Sequence, residues 1–242
     1  MTGDSRRSRG GVVVIGLVLL GIVAGMVALR SPLFEVRRVE VRGNGRLAPA
    51  EVRGLVGDAR GRNLWLVSLD DLARSVATHP WIARADVRRD LPSTLVVEIQ
   101  ERIPIAWVGD PGGGAAVAAD GVVVQRRPDG SGLVVIGTAD QIEEPGSLTS
   151  APRQSLRVVA SLPPRIRREV VAASLRGEGV VLELGSGARV LYGRAESLGA
   201  KRATLAALLD WIDENEVPTG LVDLRAPATP AIRPVSSSRP GG

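Results

Sequence analysis

Residues 79–108 read HPWIARADVRRDLPSTLVVEIQERIPIAWV, and their punctuation decides the fold of the first half of the chain. Ala83, Ala85 and Val87 alternate with Arg84, Asp86 and Arg88. After the turn at Asp90-Leu91-Pro92, Leu95, Val97 and Ile99 alternate with Val96, Glu98 and Gln100. Successive strand side chains point to opposite faces, so a period of two on both sides of a turn predicts a β-hairpin. Upstream, Pro80 stops a helix that begins at the capping box Ser68-Leu69-Asp70-Asp71 and carries Leu69, Leu72, Ala73 and Val76 on one apolar face. Pro49 opens a shorter helix, being tolerated in the first turn. Still earlier, FEVRRVEVR (34–42) places Phe34 and Val36, then Val39 and Val41, with a slip at Arg37-Arg38. That pattern predicts a kinked or bulged strand ended by the turn Gly43-Asn44-Gly45. Strand, helix, helix, strand, strand over 34–108 buries its apolar faces most simply as a small sheet backed by two helices.

A second, β-rich domain is expected over 109–234, making the chain α+β. Asp110-Pro111-Gly112-Gly113-Gly114 reads as a linker or loop, and Ala119-Asp120-Gly121-Val122 as a tight hairpin turn. Strands are expected at 133–136, 180–184 and 188–192, the last two joined by Gly185-Ser186-Gly187, with a helix at about 155–162. A longer helix at about 198–214 presents Leu205, Leu208, Leu209 and Ile212. The final strand, LVDLR, lies between Pro218 and Pro227, and the Ser-rich 235–242 tail is expected to be disordered.

No side chain from Gly10 to Leu29 is charged, and the stretch is dominated by Val, Leu, Ile and Gly. Twenty helical residues reach about 30 Å, the thickness of the hydrocarbon layer of a bilayer. A single membrane-spanning helix over 11–29 is therefore expected. No A-x-A-like cleavage site precedes Arg30, which argues against a removed signal peptide. Arginines flank both ends, so local charge does not set the orientation. Ten residues lie on one side and more than two hundred on the other, and long domains translocate largely regardless of charge. The expectation is a cytoplasmic tail (1–10) and an extracytoplasmic body.

The 242 residues are 44% apolar, enough for about two compact domains, and contain no cysteine. Disulfides, thiolate metal sites and a cysteine nucleophile are thereby excluded. Only six residues are aromatic, too few for base-stacking platforms. The net charge is +5, of which three come from Arg6, Arg7, Arg9 and Arg30 against Asp4, and Lys201 is the only lysine. One cationic face for nucleic acid is not indicated. His79, the only histidine, reads as a helix-end residue, with Trp81 filling the core. Asp70-Asp71 reads as capping, Glu143-Glu144 as a solvated turn, and Gly112 to Gly114 lacks the G-K-[ST] or G-x-G-x-x-G context of a phosphate loop. No catalytic, metal or cofactor-binding residues, no cofactor and no small-molecule substrate are expected.

A basic tail and single span lead into FEVRRVEVRGN, then the 79–108 block, an ADG turn, a lysine-bearing helix and LVDLR. In this order the chain resembles the FtsQ/DivIB family of bacterial cell-division proteins, as far as about Pro234. The 79–108 block is its most specific part, and the Arg-rich usage looks like that of a high-GC actinobacterial member. Leu91 departs from relatives that often carry Trp there, as does Ala226-Pro227 where some carry an aromatic residue. The resemblance implies a POTRA domain over 34–108, a β domain over 109–234, and a non-enzymatic single-pass scaffold at the division septum that helps control wall synthesis. It also implies partners resembling FtsB (DivIC) and FtsL.

The resemblance puts an exposed sheet edge at Leu221, Val222, Asp223, Leu224, Arg225 and Ala226, where backbone groups can accept the FtsB-like strand. Pairing on both sides of that strand is the competing reading. A weaker candidate edge lies at Leu95 to Ile99. Gly21 and Gly25 form a G-x-x-x-G pattern that can pack against another membrane helix, with lipid-facing filler as the alternative. The rival functions are a POTRA-bearing membrane protein of secretion or envelope assembly, and a membrane-anchored wall hydrolase or transferase.

Overall fold

Local signals place the elements of the first unit in the expected order. A helix α1, described over residues 14–22, precedes β1 (Arg38–Arg42), α2 (Pro49–Leu55), α3 (Leu69–Ala77), β2 (Ile82–Asp90) and β3 (Thr94–Glu101). The computed structural model describes residues 14–22, 25, 31–110, 112–127, 130–143, 147–177 and 179–234. Among these no helix is long and apolar enough to cross a membrane. The rest of the expected span, and the tails 1–10 and 235–242, lie outside the described residues.

The hairpin pairs Val87 with Val97 and Ala85 with Ile99, as its alternation requires. β1 lies parallel to β3 with Val39 beside Leu95, so the sheet order is β1-β3-β2 and β3 is central. The candidate edge at Leu95 to Ile99 is therefore wrong: both sides of that strand are already paired. Val96, expected on the polar face, is also buried, with Glu40 and Arg88 as its register neighbours on either side. The 34–42 segment has the expected irregularity at Arg37-Arg38, but its start is not strand. Pro32–Phe34 forms a 3-10 turn and pairing begins only at Arg38, because Arg37 and Arg38 both donate to the Ser93 carbonyl.

Leu64, Val52, Val76, Ile82 and Leu95 fill the core between sheet and helices; each buried aliphatic side chain contributes about 1.5–3 kcal/mol. Ser68 caps α3 by accepting the Asp71 N–H at 3.3 Å. His79 lies just past the helix end, its Nε2 3.2 Å from Glu51 and its Nδ1 accepting the Trp81 N–H. Trp81 is half-buried, with the Arg46 guanidinium 5.1 Å above its ring. Glu101 closes the unit: its carboxylate accepts N–H bonds from Gly45, Arg46 and Leu47 at 2.8–2.9 Å. Burial pulls its pKa upward, but these donors and the Arg46 charge outweigh it and leave the net shift downward.

The second unit starts at Arg102 and not after 108, since β4 (Pro104–Asp110) pairs in a separate, nine-stranded sheet. Its other strands are β5 (Gly113–Ala118), β6 (Val123–Arg127), β7 (Val134–Gly137), β10 (Val170–Arg176), β11 (Gly179–Leu184), β12 (Arg189–Gly193), β13 (Thr219–Asp223) and β14 (Ala231–Pro234). A small ladder joins β8 (Ile142–Glu143) to β9 (Ser147–Leu148). The sheet runs β14-β13-β12-β11-β10-β7-β4-β5-β6. The glycine-rich stretch expected as a linker or loop is the loop end of the β4–β5 hairpin, with Asp110 opposite Gly113. Gly109 and Gly114 stand side by side there, and a Cβ on either would meet the Trp107 ring at 2.7 Å.

Helix α4 (Ser150–Ser161), five residues earlier than expected, packs on β10, β7, β4 and β11. The short α5 (Pro164–Glu169) is tied to α6 (Leu198–Glu214) by the Arg165–Asp210 ion pair at 2.6 Å. Leu156, Val159, Leu182, Tyr192, Leu205 and Leu224 are among the residues of the buried core.

Candidate functional site

The candidate edge is built where the chain returns from α6. Val217 and Pro218 end the helical segment, and β13 enters beside β12 in parallel, with Leu221 opposite Arg189 and Val222 opposite Val190. Val222 and Leu224 are fully buried, and the Leu224 N–H continues the ladder to the Leu191 carbonyl at 2.9 Å. Asp223 and Arg225 form a fork: the Arg225 guanidinium donates to both carboxylate oxygens at 2.6–3.1 Å. The hydrogen bond from Arg225 holds the Asp223 carboxyl below its ordinary range, against the upward pull of burial.

This strand is not an edge. β14 pairs antiparallel along its outer side, with Thr219 opposite Pro234, Leu221 opposite Arg233, Val222 opposite Ile232 and Asp223 opposite Ala231. The expectation that Leu221 to Asp223 is open is corrected, because the short segment between Pro230 and Pro234 occupies that side. Leu224, Arg225 and Ala226 lie beyond this pairing and lead into a turn closed by the Thr229 N–H on the Ala226 carbonyl. The free rim is β14 itself. Its prolines at 230 and 234 lack N–H groups, so it presents few donors to another chain.

Beside β12 lies a cavity of about 550 Å³ lined by Arg176, Val181, Leu191, Glu196, Lys201 and Arg225, among others. Lys201, near the start of α6, is only 4% exposed. Its Nζ donates to the carbonyls of Tyr192 and Arg194 at 2.9 Å each and lies 5.5 Å from the Tyr192 ring centroid. Gly193, between those carbonyls, has φ +75°, a bend that L side chains rarely adopt. The lysine thus clamps the end of β12 to α6. Burial lowers its pKa, with the Glu196 charge acting in the opposite sense. Sequence reasoning noticed the lone lysine but not this role. A cation near a helix amino end opposes the helix dipole, and that was the available sign of a dedicated partner.

Tyr192, the only tyrosine, is fully buried, and burial pushes its phenol pKa up; the Ser161 hydroxyl and the Arg202 charge pull it down. Phenolate absorbance of the folded chain should therefore appear only above the ordinary value of 10.0 and return to it in urea. The folded pKa is raised, so the stability linked to this group is complete below the unfolded value and lost as pH climbs through the folded one. An unshifted titration in the folded chain would contradict its burial.

Gly21 and Gly25 fall in the described part of the amino-terminal helical stretch, where an added Cβ would meet nothing within 4 Å. Asp71 is engaged by the Ser68 cap and by an ion pair with Arg74. Glu143 is an exposed residue of β8, and Glu144 lies outside the described residues.

Residues 34–102 match the family model described as POTRA domain, FtsQ-type. Along most of its length the chain is similar to proteins named Cell division protein FtsQ. With that of Streptomyces bingchenggensis it is 29% identical over 224 residues, covering 90% of this chain and 83% of the relative. With that of Mycobacteroides abscessus the identity is 28%, covering 92% and 69%. With that of Corynebacterium glutamicum it is 24%, covering 82% and 87%. The FtsQ/DivIB resemblance read from the sequence thus extends well beyond the POTRA domain, and actinobacterial proteins are among the relatives.

Proposed function

Taking the FtsQ-type POTRA domain and the FtsQ likeness along most of the chain as premise, we propose that this cell-division protein is a non-enzymatic, single-pass membrane scaffold. Its amino end is cytoplasmic, its body extracytoplasmic, and it holds other bitopic division proteins at the septum, so helping to control wall synthesis. The partners are FtsB-like (DivIC) and FtsL-like proteins. The observation that carries the reading is an FtsQ-type POTRA domain followed, in one chain, by a nine-stranded sheet whose last strand is a short, proline-bounded cover.

The FtsB-like strand takes the place of β14 against Leu221, Val222 and Asp223, with Leu224, Arg225 and Ala226 continuing the contact. β14 supplies four residue pairs to β13. At about 1 kcal/mol net per hydrogen bond, its release costs a few kcal/mol, which an incoming strand of equal length regains. Gly21 and Gly25 supply a close-packing face for a partner's membrane helix.

Depletion combined with fluorescent tagging tests the proposal. Filamentous cells and a midcell signal are expected. Normal septation with a secretion or envelope-assembly defect would overturn it, as would a uniform peripheral signal.

A further inference from the structure

The first unit carries an exposed apolar patch that its fold does not use. Leu33 is 54% exposed, Trp65 42%, Leu66 66% and Leu91 55%. They gather at one end of the three-stranded sheet, where β1 and β3 begin and β2 ends. Phe34 meets the Trp65 ring edge-on at 6.1 Å between centroids. The loop bearing Trp65 is pinned beside Phe34 by the Leu64 N–H on the Phe34 carbonyl and the Val36 N–H on the Arg62 carbonyl. Arg89 fixes the same loop by donating to the carbonyls of Leu64 and Val67 at 2.7 and 2.8 Å, its guanidinium 5.8 Å from the Trp65 ring centroid. Leu91 is in the β2–β3 turn, whose Ser93 carbonyl accepts from Arg37 and Arg38. Trp65 and Leu66 are therefore held outward by bonds made for the purpose of shaping the loop, not left loose.

The same end carries exposed Arg37, Arg38, Arg60 and Arg62, against Glu35 and Asp90. An apolar patch with a tryptophan at its centre and arginines at its rim has the chemistry of the membrane interface, where indole rings settle at headgroup depth and cations meet anionic lipid. Chain connectivity supplies the occupant. The apolar stretch ends at Leu29, and four residues reach at most about 14 Å, so Leu33 stays close to wherever that stretch leaves the hydrocarbon. The headgroup layer is itself about 5–8 Å deep on each side.

We infer that this end of the POTRA domain rests in the interfacial layer of the bilayer, with Leu33, Trp65, Leu66 and Leu91 inserted among the headgroups. The inference rests on the membrane-anchored reading above. It gives the domain a fixed footing at the surface, in place of free rotation on a tether.

The absence of cysteine makes the test direct. The full chain, with a single bimane-labelled cysteine at Leu66→Cys, Ala77→Cys or Gly21→Cys, is reconstituted in vesicles of phosphatidylethanolamine and phosphatidylglycerol containing spin-labelled lipid. Ala77 is exposed at the far end of α3. Expected are several-fold stronger quenching of Leu66→Cys than of Ala77→Cys by shallow spin labels, and quenching of Gly21→Cys by deep ones. Adding Leu91→Glu to Leu66→Cys should reduce the shallow quenching. If Leu66→Cys is as unquenched as Ala77→Cys while Gly21→Cys is quenched, the footing is wrong and the anchor stands. If Gly21→Cys escapes deep quenching, the anchored reading fails and takes this inference with it.

Discussion

Oxidation of a Leu221→Cys, Arg233→Cys chain should abolish capture of the FtsB-like partner, and reductant should restore it. The two residues face one another in the β13–β14 register. Cα atoms of directly opposed antiparallel residues lie about 4.5–5.5 Å apart, within the range a disulfide spans. No native cysteine competes for the bond. Locking β14 in place leaves the core of the second unit untouched, since Val222 keeps both its neighbours. The converse variant, ending at Pro230, removes the cover and should capture the partner more tightly. Pull-down under oxidising and reducing conditions measures both. Capture that persists in the oxidised chain would remove β13 from the interface. A proline at Val222 would be a poorer probe, because it breaks an internal strand and confounds binding with unfolding.

Lys201→Met should lower the stability of the full chain by about 2–3 kcal/mol, read as a fall in the urea midpoint. The methionine keeps most of the volume but donates nothing, so the carbonyls of Tyr192 and Arg194 lose their 2.9 Å partner at the bend of Gly193. Against this stands the desolvation of a buried ammonium, relieved by the substitution. The two charge-assisted bonds win because the lysine also borders a cavity that keeps it from complete dehydration. The sign with pH follows from the lowered pKa. The unfolded chain holds the proton more tightly, so the cost is present at neutral pH and disappears as pH rises towards the ordinary 10.5. The deficit of the variant should therefore widen over that alkaline window. A variant as stable as its parent would show that the clamp contributes nothing net.

The order strand, helix, helix, strand, strand of the first unit and the boundaries of α6 were determined by the sequence itself, because alternation, caps and proline stops act within a few residues of chain. The FtsQ/DivIB resemblance was legible for the same reason: its blocks are contiguous. Tertiary structure alone decided the rest. Ile105, Ala106, Trp107 and Val108 form an apolar run that suits either unit, and only pairing with β5 and β7 assigns it to the second. Val170 to Arg176 has small residues and no period, and becomes a strand because β7 and β11 flank it. Ala231 to Pro234, bounded by prolines, carries no strand pattern, yet it covers the candidate edge. Lys201 reads as one more helical cation until the bend at Gly193 brings two carbonyls to it. Each of these depends on partners distant in sequence, and hydrogen-bond pairing across such separations leaves no periodic trace in the strand that receives it.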